Sequence, residues 1–437
     1  MNPSSYNLPQ KVYLTGSDCF HLVLDKHAKK YQSGGNVMRI VFNTNDVLNH
    51  TQLKEVFAES PVIHWLCNIQ LKPGAIFGRP YWLYQNKGNG IVIQTHQHSV
   101  PNQLPETVLQ RDIPIEGERF IECDIIEYPD NSSVIVISWN HILIDGRGIG
   151  MLISHLNEVA AGNFNADIST LFPAKEKPLG MLAHIRNMYK VKSFIEQSSK
   201  APLASVASAR SQAKAPFKTK IIYFNEAETQ QIHQHAINHG ARLGPNLFYI
   251  ACCSHTVNNI QKRRNTQGTL WLPVPYDGRL RGSIGPIVSN TVAFFFYRMP
   301  QKVLQTVKLT VSSLSDQMME QIKNKRPQQY SHLLNMMRHI PVGLYYKLVN
   351  KTGEGTFTSF VYSATGEGFN NHSNFMGYMV TGLTIYPSPT FPPGLTFSFL
   401  KFNNALNINI AYSPDIIDTF EITFIEEELK KLLTTPA

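Results

Sequence analysis

Long hydrophobic runs are missing from this sequence, and so is any pair of cysteines spaced to act together. The most apolar blocks, "VAFFFY" and "SVIVIS", have the length of strands and fall far short of a membrane span. The five cysteines, Cys19, Cys67, Cys123, Cys252 and Cys253, are odd in number and include no Cys-x-x-Cys pair. Neighbouring cysteines on one helix seldom close a disulfide, so these read as reduced structural thiols. Zinc is not expected, because no Cys or His pair with ligand spacing finds a second pair to match. His235 and His239 sit four residues apart but lack a third ligand, and no metal site is assigned. The opening "MNPSSYNLPQKVYL" has no basic region followed by an apolar stretch, so a secretory signal is not expected and a cytoplasmic location is.

Acidic residues are also in deficit. Forty Lys and Arg against 31 Asp and Glu leave a net charge of +9. The basic residues are scattered, with small clusters at Lys262–Arg263–Arg264 and at Lys323, Lys325 and Arg326. Aromatic interleaving and a nucleic-acid module are both lacking, which argues against DNA or RNA as a partner. What remains is an anionic partner: a nucleotide phosphate, an acidic carrier protein, or peripheral contact with an anionic membrane.

What is present is a chain of 437 residues, 43% hydrophobic and 16% charged, able to bury more than one core. "RFIECDIIEY" and "SVIVISW" flank a turn cluster and predict a hairpin, whose second strand is apolar on both faces. "GIGMLISHLNEVAAG" then repeats apolar residues at helical spacing, stopped by Gly162, with His155 on its polar side. The histidines of "HQH" at 96–98 and of "HQHAINH" at 233–239 read as solvent-facing. "SSKAPLASVASARSQAKAP" is small, polar and basic, the composition of a connector. Beyond it a second mixed pattern begins with the strand "KTKIIYF" and ends in the helix "FIEEELKKLLT". In "LNINIAY", Leu406, Ile408, Ile410 and Tyr412 alternate with Asn407, Asn409 and Ala411, which predicts one buried face. The fold class is α/β, with an N-terminal half over residues 1–175, a crossover linker over 176–216 and a C-terminal half over 217–437.

One loop carries chemistry. "SWNHILIDGRGIG", residues 138–150, places His141 four residues before Asp145 and Gly146, between a buried strand and an amphipathic helix. Asp-Gly in isolation is a plain turn. The glycines do not have GxGxxG spacing, and no acidic ribose partner follows, which excludes a dinucleotide loop. "NHILIDG" resembles the HHxxxDG motif of the CoA-dependent acyltransferase superfamily, which includes chloramphenicol acetyltransferase, condensation domains, wax ester synthases and alcohol O-acetyltransferases. Asn140 stands where that motif has its first histidine. "VPYDGRLRGSIGPIVSN" is similar to a further family segment at Arg279 and Asn290, "HGARLGPNLFYIACCSHTV" to a wax ester synthase helix, and "GLTFSFLKFNNALNINIAYSPDIID" to the family's closing strands.

The resemblance implies two chloramphenicol-acetyltransferase-like α/β halves forming a pseudo-dimer, with a tunnel at their interface. It implies an O-acyltransferase, expected as a monomer, with no tightly bound cofactor. Acyl-CoA or a phosphopantetheinyl carrier protein would be the thioester co-substrate and an alcohol the acceptor. His141 matches the family's general base, since neutral imidazole can take a proton from an attacking hydroxyl. Asp145 would orient the loop by pairing with Arg279. Gly146 would leave room for a pantetheine arm, and Asn140 would hold loop backbone through its amide. The hydroxyls of Thr358, Ser359 and Ser363 would steady an oxyanion. Two other functions fit the same residues less fully: an amide-forming condensation enzyme, and a degenerate domain that only docks a carrier protein.

Overall fold

The computed structural model describes residues 7–436 apart from 32–34, 75–77, 102, 164–166, 175–185, 187–188, 191–202, 208–210, 212, 281, 352–356 and 371. Most of the connector read at 176–216 lies outside the described residues. Where the connector is described, Leu203 bridges to Thr269, and Ala204 and Val206 are buried against the second core.

The predicted hairpin forms the centre of a five-stranded sheet. Strands run in the order Gly382–Tyr386, Val37–Thr44, Ser133–Asn140, Ile121–Glu127, Val92–Gln97, and only the last pair is parallel. Every residue of Ser133–Asn140 is buried, as its two apolar faces require. One core cluster gathers around this sheet, and a second gathers around a four-stranded sheet ordered Val361–Ala364, Leu395–Phe402, Ala405–Tyr412, Lys218–Phe224. Asn246–Arg263 is a helix buried along most of its length, Cys252 and Cys253 among its core residues. An antiparallel ribbon of Leu270–Asp277 and Val292–Met299 runs beside the second sheet, with Ser359 donating its backbone N–H to Trp271.

Chain halves and lobes do not coincide. Gly382–Tyr386 comes from the second half but pairs with Val37–Thr44 in the first sheet. Its neighbour Ala405–Tyr412 stays in the second sheet and reaches across with side chains. Asn407 Nδ2 donates to the Leu383 carbonyl at 2.9 Å, and Asn409 Nδ2 to that of Ile385 at 3.0 Å. The alternation in "LNINIAY" is therefore a real strand period, but the expectation of a single buried face is corrected. Asn407 and Asn409 are buried too, because the face they occupy meets the other lobe's edge strand.

Three histidine readings change as well. His155 is buried, not on a solvent face, because the Ser60 hydroxyl lies 2.9 Å from its Nε2 and covers that side of the helix. Burial pushes its imidazole down to about 4. His96 Nε2 meets the buried Asp124 carboxylate at 2.8 Å, beside an Arg111 that also pairs with Asp124 and Glu122. His235 and His239 turn their Nδ1 atoms to the backbone carbonyls of Leu433 and His235. Among the described residues, no group of three or more His, Cys, Asp or Glu is placed to hold a metal ion. No helix among them is long and apolar enough to cross a membrane.

Candidate active site

The site begins at the end of a strand. Pairing of Ser133–Asn140 with Val37–Thr44 finishes at Asn140 opposite Val37, and one more ladder bond follows, His141 N–H to the Asn36 carbonyl at 2.8 Å. Asn140 is fully buried; its Nδ2 donates to the Ile113 carbonyl and its Oδ1 accepts the Ile142 N–H. It points away from chemistry and ties down loop backbone. The chain then turns through Ile142 and Leu143 to Asp145, the N-cap of helix Gly146–Ala160, whose carboxylate accepts the Gly148 N–H at 2.7 Å.

A strap from the second half clamps this turn. Ser289 N–H donates to the Leu143 carbonyl, and Asn290 Nδ2 donates to the carbonyls of His141 and Ile142 at 3.0 and 2.8 Å. Thr291 N–H donates to Asp145 Oδ2 at 2.8 Å. Arg279 Nη1 reaches both Asp145 oxygens, at 3.1 and 2.9 Å, while its other nitrogens donate to the carbonyls of Pro286 and Ser289. The Arg279 side chain is 2% exposed and that of Asp145 4%. This is a buried ion pair whose donors and acceptors are matched, the condition under which such a pair holds a structure together.

Beneath the strap sits Asp18, a residue that sequence reasoning missed. Its carboxylate accepts the Asn290 N–H and Nδ2, the Ser289 hydroxyl and the Thr15 N–H. Burial pushes this carboxyl up, against those hydrogen bonds. The Thr15-x-x-Asp18 capping box that opens helix Gly16–Lys30 was the signal available in the sequence.

The turn delivers the His141 ring to a cavity of about 300 Å³ between the lobes. Nδ1 donates to the Ile144 carbonyl at 3.2 Å, a carbonyl that also accepts Trp139 Nε1–H at 2.9 Å. That bond fixes the tautomer: the proton is on Nδ1, and Nε2 keeps its lone pair for the cavity. Burial lowers the imidazole below its ordinary value, outweighing the opposing backbone hydrogen bonds and the Asp145 carboxylate. The ring is therefore a neutral base at neutral pH.

A second imidazole, also missed, packs against it. His21, on helix Gly16–Lys30, lies 4.1 Å from His141 between ring centroids, tilted by 39°. Asn36 Nδ2 is 3.2 Å from His21 Nδ1 and 3.4 Å from the His21 carbonyl. A carbonyl only accepts, so the group facing it is the amide NH₂, and Nδ1 is the acceptor. The His21 proton is thus on Nε2. Burial, and then the neighbouring His141, hold this ring well below its ordinary value.

The cavity walls are mainly apolar, with Phe20, Leu24 and Met38 from the first half facing Val292, Phe294 and Phe357 from the second. Arg147 and Asp277, 3.9 Å apart and each about one-third or more exposed, stand at its edge. Of the three hydroxyls expected near an oxyanion, Thr358 lines the cavity but donates to the Phe360 and Trp271 carbonyls. Ser359 is buried and accepts the Trp271 N–H. Ser363 lines the cavity.

The glycines divide their work. A Cβ on Gly146 would meet only the Thr365 methyl at 3.8 Å and would project toward the cavity. A Cβ on Gly148 would lie 2.6 Å from the Ile287 carbonyl, inside the contact between helix and strap. Gly148→Ala should therefore destabilise the chain by about 1–3 kcal/mol through overpacking, whereas Gly146→Ala should melt no lower than the parent. Thermal unfolding of the two variants checks this; equal midpoints would overturn it.

No protein-family model matches the chain, and no curated protein sequence does. Solved structures do match over nearly its whole length. The first condensation domain of the calcium-dependent antibiotic synthetase aligns at a TM-score of 0.69 and 14% identity, over 98% of this chain and 97% of the other. Trichothecene 15-O-acetyltransferase of Fusarium sporotrichioides aligns at 0.68 and 11%, over 99% of both chains. Polyketide synthase associated protein 5 of Mycobacterium tuberculosis aligns at 0.61 and 13%, over 98% of this chain and 100% of the other. Shared across both lobes at such low identity, the likeness establishes the architecture: the chain has the two-lobed, chloramphenicol-acetyltransferase-like fold of condensation domains.

Proposed function

We propose that the protein is an acyltransferase that moves an acyl group from a thioester to a hydroxyl, with His141 as general base. The observation that carries this reading is the Nε2 lone pair of His141, held by the Nδ1 bond to Ile144 and presented to an apolar cavity between two lobes. The acceptor hydroxyl attacks the thioester carbonyl carbon while His141 Nε2 takes its proton. The carbonyl π pair moves onto oxygen, giving a tetrahedral oxyanion near Ser363. That pair then returns, the carbon–sulfur bond breaks, and the imidazolium returns the proton to sulfur. The products are an ester and a free thiol. Low water content in an apolar cavity favours transfer over hydrolysis.

The thioester is a co-substrate, borne by CoA or by the phosphopantetheine of a carrier protein. Phenylalanine and aliphatic walls suit an apolar acyl chain. Ester formation is preferred to the amide reading because a neutral base must deprotonate the attacking hydroxyl, which an amine in its free-base form does not require before attack. The docking-only reading leaves the buried Asp145–Arg279 pair and the neutral, aimed imidazole without a task.

The test is to incubate the purified protein with acetyl-, octanoyl- and palmitoyl-CoA against 1-octanol and 1-hexadecanol, following free thiol and ester together. Ester formed in step with thiol supports the reading; absence of ester with every pair rejects CoA-dependent O-acyl transfer for these substrates. The pH profile is a second check. His141 faces His21 and Asp145, and burial depresses its proton affinity. The active form is the neutral one, so kcat/KM should stay flat as pH falls to the ordinary histidine value of about 6.5 and decline only below it. An acid limb centred above that value would contradict the assignment.

A further inference from the structure

The paired imidazoles carry a division of labour that goes beyond a single base. This inference rests on the acyl-transfer reading and deepens it. His141 and His21 present opposite faces of the same chemistry to one cavity. The Ile144 carbonyl takes the Nδ1 proton of His141 and leaves a lone pair at Nε2, whereas the Asn36 amide occupies Nδ1 of His21 and leaves an N–H at Nε2. Asn36 touches both partners, since its own carbonyl accepts the His141 N–H at 2.8 Å. One residue thus sets the His21 tautomer and anchors the base at the strand end. His21 lies at the cavity wall with its ring against that of His141, and no hydrogen bond within the described residues uses its Nε2–H.

We infer that His21 is the hydrogen-bond donor that stabilises the oxyanion formed when the acceptor attacks the thioester carbonyl. The donor must stand close to the base, because the attacking oxygen and the carbonyl oxygen end on the same tetrahedral carbon. Two rings in contact meet that requirement. The donor must also stay an N–H throughout, without giving up its proton, so that the negative oxygen collapses to expel the thiolate. A neutral imidazole does this, and an imidazolium beside His141 would oppose protonation of the base. Burial keeps His21 neutral across the working range. Among the other groups on the wall, Thr358 donates to the Phe360 and Trp271 carbonyls and Thr365 to the Phe399 carbonyl, while the Asp145 carboxylate only accepts. Ser363 also lines the cavity, and the two donors together would make a two-pronged oxyanion site.

The experiment compares His21→Phe, His21→Gln, Ser363→Ala and His141→Ala with the parent, using octanoyl-CoA and 1-octanol, alongside ¹⁵N NMR of histidine-labelled parent protein. His21→Phe keeps an aromatic ring against His141 but removes the N–H. It should lower kcat by about 100-fold, the scale of losing one oxyanion donor, with KM little changed. His21→Gln restores an N–H at similar reach and should recover part of that loss. NMR should show His21 protonated on Nε2 and not on Nδ1. His21→Phe turning over at the parent rate, while His141→Ala does not, would overturn the donor role and leave the base intact. If the parent forms no ester, the acyl-transfer reading fails on its own, and an Nδ1-protonated His21 in the spectrum would separately overturn the donor geometry. Should His21→Phe fail to fold, His21→Leu takes its place: a folded His21→Leu about 100-fold down in kcat, with His21→Gln between it and the parent, supports the donor, and a folded His21→Leu turning over at the parent rate overturns it.

Discussion

His141→Ala is expected to cut ester formation by about 10²- to 10⁴-fold, the range a positioned general base contributes, while the unfolding midpoint stays within a degree or two of the parent. The two halves of this result have separate causes. Catalysis is lost because the cavity wall provides no second lone pair in the same place: His21 presents an N–H, and the Asp145 oxygens are saturated by Arg279, Gly148 and Thr291. Stability is kept because the ring makes one backbone hydrogen bond, to a carbonyl that Trp139 Nε1 continues to satisfy. The turn itself is held by main-chain groups of residue 141, which alanine retains. Undiminished turnover in the variant would reject the base assignment outright.

Arg279→Ala should behave in the opposite way, losing stability and activity together. Removing the guanidinium leaves the Asp145 carboxylate buried with two backbone N–H donors, and leaves the Pro286 and Ser289 carbonyls without their partner. Breaking a buried pair from one side costs about 3–5 kcal/mol. Asp145→Asn tests the other side. An amide offers one oxygen where the carboxylate's two serve Gly148, Thr291 and Arg279, so at least one donor loses its acceptor. Neither residue is placed to meet substrate as a base; both hold the strap against the turn that aims His141. In the proposed acyl transfer Asp145 is accordingly a positioning residue. The discriminating readout is the acid limb of the pH profile: with the turn loosened, kcat should fall in both variants and the limb should move toward the ordinary histidine value as the ring gains solvent. Variants that melt with the parent and turn over at its rate would show that the pair has no orienting role.

The strand–turn–helix around residues 133–160 was legible because each piece follows a local rule: two apolar faces, a turn, and apolar residues at helical spacing. The helix Gly16–Lys30 was not, although it carries His21 and Asp18. Its inward side holds Asp18, His21, Asp25 and His27 among its apolar residues, so its sequence shows no clean stripe. Buried polar groups are satisfied by partners far away in the chain, here Asn290 and Ser289, and a local pattern cannot register them. His155 misled for the same reason, since its cover comes from Ser60. Gly148 was overlooked in favour of Gly146 because the contact that requires it is with Ile287. The strand Gly382–Tyr386 belongs to the first sheet through a partner more than three hundred residues away, which no local pattern registers.

That last pairing reaches back into how the molecule is made. Gly382–Tyr386 closes the edge of a sheet whose other strands all come from residues 37–140. A growing chain emerging from the ribosome therefore carries this sheet with an open edge beside Val37–Thr44 until the later strand arrives. At ordinary elongation rates of about 5–20 residues per second, the roughly 240 residues in between keep that edge waiting for about 10–50 s. The edge of the first lobe is thereby closed only once a strand of the second half has been made, which couples the folding of the two lobes.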